Sequence, residues 1–212
     1  MKTEDLINTI AADAGAPRVS IGWTVGVGAA GAFVVGGLVF FALLSMRPAL
    51  GASLGDWHFL MKWVFSMTLL TTALLLVVGL ARPQWTPGPS MYLLLGAPLV
   101  LAIGIAAEMT SLPAKFWMPT MIGTKALACL ILVPLLAALP LAIMLLALRR
   151  GAPARPALAG AVAGLASAGI ATTFYATHCL NDSPLFLGVW YVLATAIVAG
   201  AGALIGARLL RW

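Results

Sequence analysis

Six long apolar runs, separated by short polar stretches, constrain this chain more than any other feature of its sequence. The runs extend over residues 21–45, 59–81, 91–110, 120–148, 157–177 and 185–209. A helix needs about 20 apolar residues to cross the hydrocarbon core of a bilayer, and each run is long enough. Because backbone polar groups have no water partners in lipid, such runs must form helices or closed barrels. The sequence therefore predicts an all-α integral membrane protein with six transmembrane helices.

The distribution of basic residues predicts how the helices are oriented. An even number of spans places both chain ends on one side of the membrane, and Lys and Arg are enriched on the cytoplasmic side. With the N-terminus inside, the cytoplasmic set has eight members, which are Lys2, Arg18, Arg82, Arg149, Arg150, Arg155, Arg208 and Arg211. The outer set has four members, which are Arg47, Lys62, Lys115 and Lys125. This ratio predicts an N-in, C-in topology, and such scattered charges argue against direct binding of nucleic acid.

The first twenty residues differ in character from the rest of the chain. They hold three of the six acidic residues and precede the first apolar run. Their pattern combines a threonine suited to a helix cap, acids favoured in a first helical turn and an apolar face at helical spacing. These residues are Thr3, Glu4, Asp5, Leu6, Ile7, Ile10 and Asp13. We predict a cytoplasmic tail over 1–20 with a short amphipathic helix that binds a protein partner, followed by a six-helix transmembrane domain over 21–212.

The two cysteines are the residues best suited to chemistry. Cys179 follows His178 in the polar stretch that separates the last two apolar runs, and Cys129 lies fifty residues upstream. Counting about 20 residues back from Arg149, at the inner end of the fourth run, places Cys129 near the outer boundary of the membrane. The fifth run ends at the same level. Both thiols are therefore predicted to lie at one height on the outer face.

Three interpretations of the cysteine pair remain open from the residues alone. The thiols could form a structural disulfide in an oxidising compartment, or serve as two unrelated buried groups. They could also bind a soft metal ion as thiolates, together with His178 or a methionine near an outer helix end, such as Met109 or Met121.

Catalytic and transport patterns are missing from the sequence. It contains no Cys-x-x-Cys, no His-Glu-x-x-His and no Gly-x-Ser-x-Gly, and the apolar runs lack the polar interruptions typical of transporters. We therefore expect a sensor without a permanently bound cofactor rather than an enzyme. Small residues four apart, such as Gly160 with Gly164 and Gly202 with Gly206, predict close helix packing inside the bundle or a homodimer contact.

Three segments resemble the negative regulator of sigma-F family of bacterial membrane anti-sigma factors. They are the start KTEDLINTIAAD, the stretch FYATHCLNDSPLFLGVWY and the terminal GARLLRW. The resemblance covers nearly the full length, with one cysteine in the fourth span and one in the last outer loop. Its most specific pattern comprises His178, Cys179, Ser183, Pro184, Phe186, Trp190 and Tyr191.

The resemblance implies a function for both ends of the molecule. The N-terminal segment would hold an extracytoplasmic-function sigma factor at the bacterial inner membrane, with Leu6, Ile7 and Ile10 as anchors. Copper or another soft heavy-metal ion, bound transiently, would act at Cys129 and Cys179 and release it. A membrane protein that transports or buffers copper is the leading alternative, and a redox partner that cycles a disulfide with a quinone is a third.

Overall fold

A computed structural model describes residues 3–4, 20–48, 50–86 and 88–211. Within these residues it contains helices and no strand, and six helices are long and apolar enough to cross a membrane. These spans are Ile21–Leu43, Trp57–Leu80, Pro89–Ser111, Ala126–Leu148, Pro156–Tyr175 and Pro184–Leu209. We name the main α-helical part of each span α1 (Ile21–Leu43), α2 (Trp57–Leu80), α3 (Gly96–Ser111), α4 (Ala126–Leu148), α5 (Pro156–Tyr175) and α6 (Val192–Leu209). The predicted all-α architecture with six spans is confirmed.

The predicted tail is described only in part. Thr3 and Glu4 are helical and exposed. The other residues assigned to partner binding lie outside the described residues, and they are Asp5, Leu6, Ile7, Ile10 and Asp13. The amphipathic helix over the tail therefore stays a prediction.

Shorter helical segments extend or connect the six spans. A 3₁₀ helix over Pro89–Leu95 leads into α3, and the turn Pro184–Phe186 followed by a π-helix over Leu187–Tyr191 leads into α6. Leu50–Ser53 lies between α1 and α2, while Ala114–Phe116 and Trp117–Ile122 lie between α3 and α4. In the π-helix the amide of Val192 donates to the carbonyl of Leu187, five residues back, so this turn holds one extra residue.

The fourth apolar run is longer than the helix it forms. The sequence predicted one continuous helix over 120–148, and this boundary is wrong because the chain turns at Gly123. The backbone φ of Gly123 is 58°, a left-handed conformation that favours glycine. A Cβ at this position would lie 2.6 Å from Cδ2 of Phe186. The turn therefore ends the preceding short helix and allows α4 to begin at Ala126.

Helix α5 forms the centre of the bundle and is the most buried of the six spans, whereas α3 is the least buried. Glycines bring α5 and α6 into backbone contact, since a Cβ at Gly160 would lie 2.1 Å from the carbonyl oxygen of Gly202. Gly164 faces the backbone of Val198 in the same way. The small-residue pairs of these two helices therefore serve packing within the chain.

The bundle has two chemically different ends. At one end the segment after α1 contacts the loop after α5, since the amide of Arg47 donates to the carbonyl of Thr177 at 3.0 Å. Cys179 belongs to that loop, and Cys129 lies in the first turn of α4 beside it. We call this the thiol end. At the opposite end, Ile21 at the start of α1 lines a cavity with Arg150, which follows α4.

Candidate functional site

The two cysteines are free and buried at the thiol end. Their sulfur atoms lie close enough to interact electrostatically, as the sequence predicted from their common height. Tyr175 and Tyr191 lie beside them, with ring centroids 6.1 Å apart. The hydroxyl of Tyr191 is buried and has no hydrogen-bond partner in the described part of the chain. Both thiols therefore lie in a buried environment that contains an unsatisfied polar group.

His178 is fixed in one tautomer by the backbone. Its Nδ1 lies 2.7 Å from the carbonyl oxygen of Ser45. Because a carbonyl only accepts, the neutral ring carries its proton on Nδ1 and keeps a lone pair on Nε2. A backbone carbonyl is a common partner for the second nitrogen of a metal-binding histidine. The tautomer present thus leaves Nε2 able to bind a metal ion.

A cavity of about 240 Å³ lies against Cys179 and His178. Its other lining residues are Ser45, Met46, Arg47, Pro48, Lys125, Ala128, Tyr175 and Leu180. Lys125 is exposed, and its carbonyl accepts a hydrogen bond from the Cys129 amide at 3.0 Å, so it lies directly before the helical turn that carries this thiol. The cavity is thus lined by Cys179 itself and by Lys125 and Ala128, which lie close to Cys129 in the chain.

The structure brings the thiols together without assembling a complete metal site. Among the described residues, no group of three or more His, Cys, Asp or Glu side chains is placed to hold a metal ion. Met109 and Met121 are half-buried and do not line the cavity beside Cys179. The carbonyl of Met121 instead accepts a hydrogen bond from Nε1 of Trp190 at 3.0 Å. A metal ion at this end would have the two thiolates as its paired donors.

A buried cluster of charges holds the loop that carries Cys179. Lys62, whose side chain is 0% exposed, pairs with Asp182 and donates to the carbonyl of Cys179 at 2.8 Å. Arg47, 5% exposed, pairs with the other oxygen of Asp182 at 2.6 Å and lies 3.4 Å from the same carbonyl. Its guanidinium also lies 4.3 Å from the ring centroid of Phe59. Two cations from different parts of the chain thus hold one carboxylate and the backbone of the cysteine.

A second buried carboxylate caps the segment that leads into α6. Glu108, near the end of α3, accepts hydrogen bonds from the Ser183 hydroxyl at 2.7 Å and from the Leu185 amide at 2.9 Å. Nε2 of His58 lies 3.9 Å from its other oxygen. The first amides of a helix lack partners within the helix. The Glu108 carboxylate therefore stabilises the start of this helix, and the helix start in turn stabilises the negative charge of Glu108.

Asp56 begins α2 at the same end of the bundle. Its carboxylate accepts a hydrogen bond from the backbone amide of His58 at 3.0 Å and contacts the imidazole Nδ1 at 2.9 Å. The hydrogen bond from the His58 side chain, followed by the one from its backbone, lowers the pKa of Asp56 below its ordinary value of 3.8. Asp56 is therefore an N-cap held in its charged form.

Sequence reasoning missed the charge cluster because it treated Arg47 and Lys62 as charges flanking the helices. Both are buried and paired with Asp182. The available signal was the position of Lys62 inside an apolar run, since an ionisable residue within a span usually has a partner. Of the predicted outer set, Lys115 and Lys125 remain exposed. Among the described residues, exposed Lys and Arg thus favour the predicted cytoplasmic side more strongly than the count of all twelve basic residues suggested.

Comparison with known proteins identifies relatives of the whole chain. The profile of the family described as "Negative regulator of sigma F" matches residues 10–212. The chain is 35% identical over 227 aligned positions to a "Probable anti-sigma-F factor NrsF" of Azospira oryzae, with 100% of both chains covered. It is 33% identical over 223 positions to the "Anti-sigma-F factor NrsF" of Caulobacter vibrioides, again with 100% of both covered. No solved structure matches the chain.

Proposed function

The chain belongs to the negative regulator of sigma F family, and from this premise we propose how it holds and releases its partner. The resemblance found in the sequence is thus confirmed, and the family supports a regulatory, anti-sigma role with a sigma factor as partner. We propose that residues 1–20 hold an extracytoplasmic-function sigma factor at the bacterial inner membrane. Copper or another soft heavy-metal ion acting on Cys129 and Cys179 would release it.

One observation carries this proposal. The two free, buried thiols lie at the same end of the bundle, close enough to interact electrostatically, and this end is opposite to the start of α1, where the N-terminal segment joins it. This arrangement separates an input from an output by the length of a transmembrane helix. Thiolates are the protein ligands preferred by soft ions such as Cu(I). Cys129 and Cys179 would hold the ion, and Nε2 of His178 is the nearest further donor in sequence.

The energetic requirement for release is moderate. Shifting a two-state equilibrium from 99:1 to 1:99 requires a ligand that favours the second state by about 5.5 kcal/mol. Structural zinc in zinc-finger peptides binds with apparent free energies of about 10 to 16 kcal/mol. A soft ion held mainly in the releasing state by two thiolates has enough binding free energy for this shift.

Replacement of the cysteines tests the input. Membranes containing the chain and its sigma factor are treated with copper, and the sigma factor that remains bound is measured by co-purification. We expect copper to release it from the wild-type chain and not from the variant with Cys129→Ser and Cys179→Ser. Release from the double variant at wild-type copper concentrations would refute the proposed input.

Deletion of residues 2–13 tests the output. The shortened chain should insert in the membrane with an unchanged thermal transition in detergent, since α1 begins only at Ile21, and it should fail to retain the sigma factor. Retention by the shortened chain would place binding elsewhere, for example at Arg149 or Arg155. Copper uptake into vesicles by the purified chain, with no bound protein, would instead favour the metal-handling alternative.

A further inference from the structure

The segment that follows α1 is tied to the cysteine loop by several polar contacts. In the first contact, Nδ1 of His178 in the loop donates to the backbone carbonyl of Ser45 in the segment at 2.7 Å. In the second, the backbone amide of Arg47 in the segment donates to the backbone carbonyl of Thr177 at 3.0 Å. Two more come from Nη1 of Arg47, which lies 3.4 Å from the Cys179 carbonyl and 2.6 Å from the Asp182 carboxylate. We call Arg47, the Cys179 carbonyl and Asp182 the Arg47 clamp.

Helix α1 is held differently along the rest of its length. Its contacts with α5 are apolar and close, since a Cβ at Gly36 would lie 2.8 Å from Ile170 and one at Gly37 would lie 2.9 Å from Phe174. Among the described residues, no side-chain hydrogen bond joins Ile21–Leu43 to another helix. Apolar contacts resist separation of the helices but are less directional than hydrogen bonds. The polar connection of α1 to the bundle is therefore concentrated at the thiol end.

We propose that the Arg47 clamp transmits a change at Cys179 to α1 and through it to the N-terminal segment. This inference rests on the proposed function of the thiols. The thiol and the clamped carbonyl belong to the same residue, so a movement that brings the Cys179 sulfur to an ion also moves the carbonyl that Arg47 holds. Arg47 lies four residues beyond Leu43, the last residue of α1. A displacement of the loop is thereby passed to α1, the helix whose N-terminal end adjoins the proposed sigma-binding segment.

Lys62 supplies a matched control for this role. It is buried like Arg47, pairs with the same carboxylate and donates to the same Cys179 carbonyl. It belongs to α2, however, and not to the segment that follows α1. Lys62 and Arg47 thus stabilise the loop by the same chemistry, and of these two cations only Arg47 belongs to the segment that follows α1. Comparison of the two separates transmission from support of the loop.

The experiment compares Arg47→Gln with Lys62→Gln in the full chain, in membranes that contain the sigma factor. Release is measured over a titration with Cu(I), and the copper bound per chain is measured by elemental analysis of the chain purified from the same membranes. We expect Arg47→Gln to bind as much copper as the wild type while its release needs at least about tenfold more copper, a coupling loss within the usual range for allosteric proteins. Lys62→Gln should release its partner near the wild-type copper concentration.

Three results would overturn the Arg47 clamp. Wild-type release from Arg47→Gln would show that α1 receives the signal by another route. Loss of copper binding in this variant would assign Arg47 to ion binding, and an equal loss of release in Lys62→Gln would assign both cations to loop support. If Arg47→Gln fails to insert, Arg47→Lys keeps the buried charge without the forked guanidinium. Wild-type release from that variant, at wild-type membrane levels, also contradicts the clamp.

The double cysteine variant distinguishes failure of this inference from failure of the proposed function. If that variant blocks release while Arg47→Gln releases normally, the thiols remain the input and only the route through Arg47 is wrong. If the double cysteine variant still releases the sigma factor, the proposed input fails regardless of Arg47.

Discussion

Removal of the Asp182 carboxylate is the most informative perturbation of the charge cluster. The cluster has two buried cations, Arg47 and Lys62, and one carboxylate, so it carries a net charge of +1. The substitution Asp182→Asn leaves both cations without a counter-charge in a site where their side chains are only 5% and 0% exposed. Burial of an uncompensated charge is among the largest single destabilising changes in a protein.

The expected loss of stability follows from the contacts. Asp182 accepts one charged hydrogen bond from each cation, and each such bond contributes about 1.5 to 3 kcal/mol. Breaking a buried pair by removing one partner costs about 3 to 5 kcal/mol. We therefore expect a loss of about 4 kcal/mol in the free energy of unfolding, roughly a thousandfold in the equilibrium constant. For a chain of this size the melting temperature should fall by about 8 to 16 °C.

Thermal unfolding in detergent, followed by circular dichroism, measures this loss. The control is Lys62→Met, which leaves one cation paired with one carboxylate and should cost less, about 1.5 to 3 kcal/mol for the lost charged hydrogen bond to Asp182. The variant that combines Asp182→Asn with Lys62→Met should be more stable than Asp182→Asn alone, because it removes one of the two uncompensated cations. A larger loss for Lys62→Met than for Asp182→Asn would refute the reasoning, since charge balance would then not govern the site.

Three further predictions concern other parts of the bundle. Gly160→Ala should lower the melting temperature by several degrees because the added methyl meets a backbone carbonyl, whereas Gly200→Ala, which has nothing within 4 Å, should be neutral or stabilising in the same melt. Glu108→Ala should cost about 1 to 3 kcal/mol in denaturant unfolding because the Ser183 hydroxyl loses its acceptor and the Leu185 amide keeps only its contact with the Ser183 oxygen, and Glu108→Gln should cost less because it keeps an acceptor. Asp56 should contribute to the free energy of unfolding above about pH 4, and this contribution should be lost as the pH falls through the lowered pKa of Asp56 in the folded state. Thermal melts of Asp56→Ala should therefore match the wild type below this folded-state pKa and show a lower melting temperature at pH 7.

The sequence predicted the large features of this fold because they follow from hydrophobicity. Six apolar runs correspond to six helices, and counting along the fourth and fifth runs placed Cys129 and Cys179 together. Both predictions depend on the thickness of a bilayer and the rise of a helix, which are nearly constant. The close packing of Gly160 against Gly202 was predicted as one of two alternatives, and the structure assigns these residues to packing inside the chain.

The details that determine the site depend on contacts that hydrophobicity does not encode. The turn at Gly123 lies within a run that was long enough for one helix, and the structure identifies it by a φ of 58°. Asp182 meets Lys62 although 120 residues separate them along the chain, and no periodic pattern links such positions. Met121 was predicted as a candidate metal ligand from its height, which stays a prediction, whereas the hydrogen bond from Trp190 to its carbonyl was not predicted. Pairings across helices had to come from the packed structure.

The π-helix over Leu187–Tyr191 sets the rotational phase between the cysteine loop and α6. Its extra residue advances the chain by about 100° relative to an ordinary α-helix. Loss of a single residue there would let the turn wind regularly, and it would rotate Ser183 away from the Glu108 carboxylate that it now contacts. Insertions and deletions of one residue in this turn thus change which side of α6 meets the loop. This single π-helical turn therefore sets the angle at which α6 leaves the cysteine loop at the thiol end.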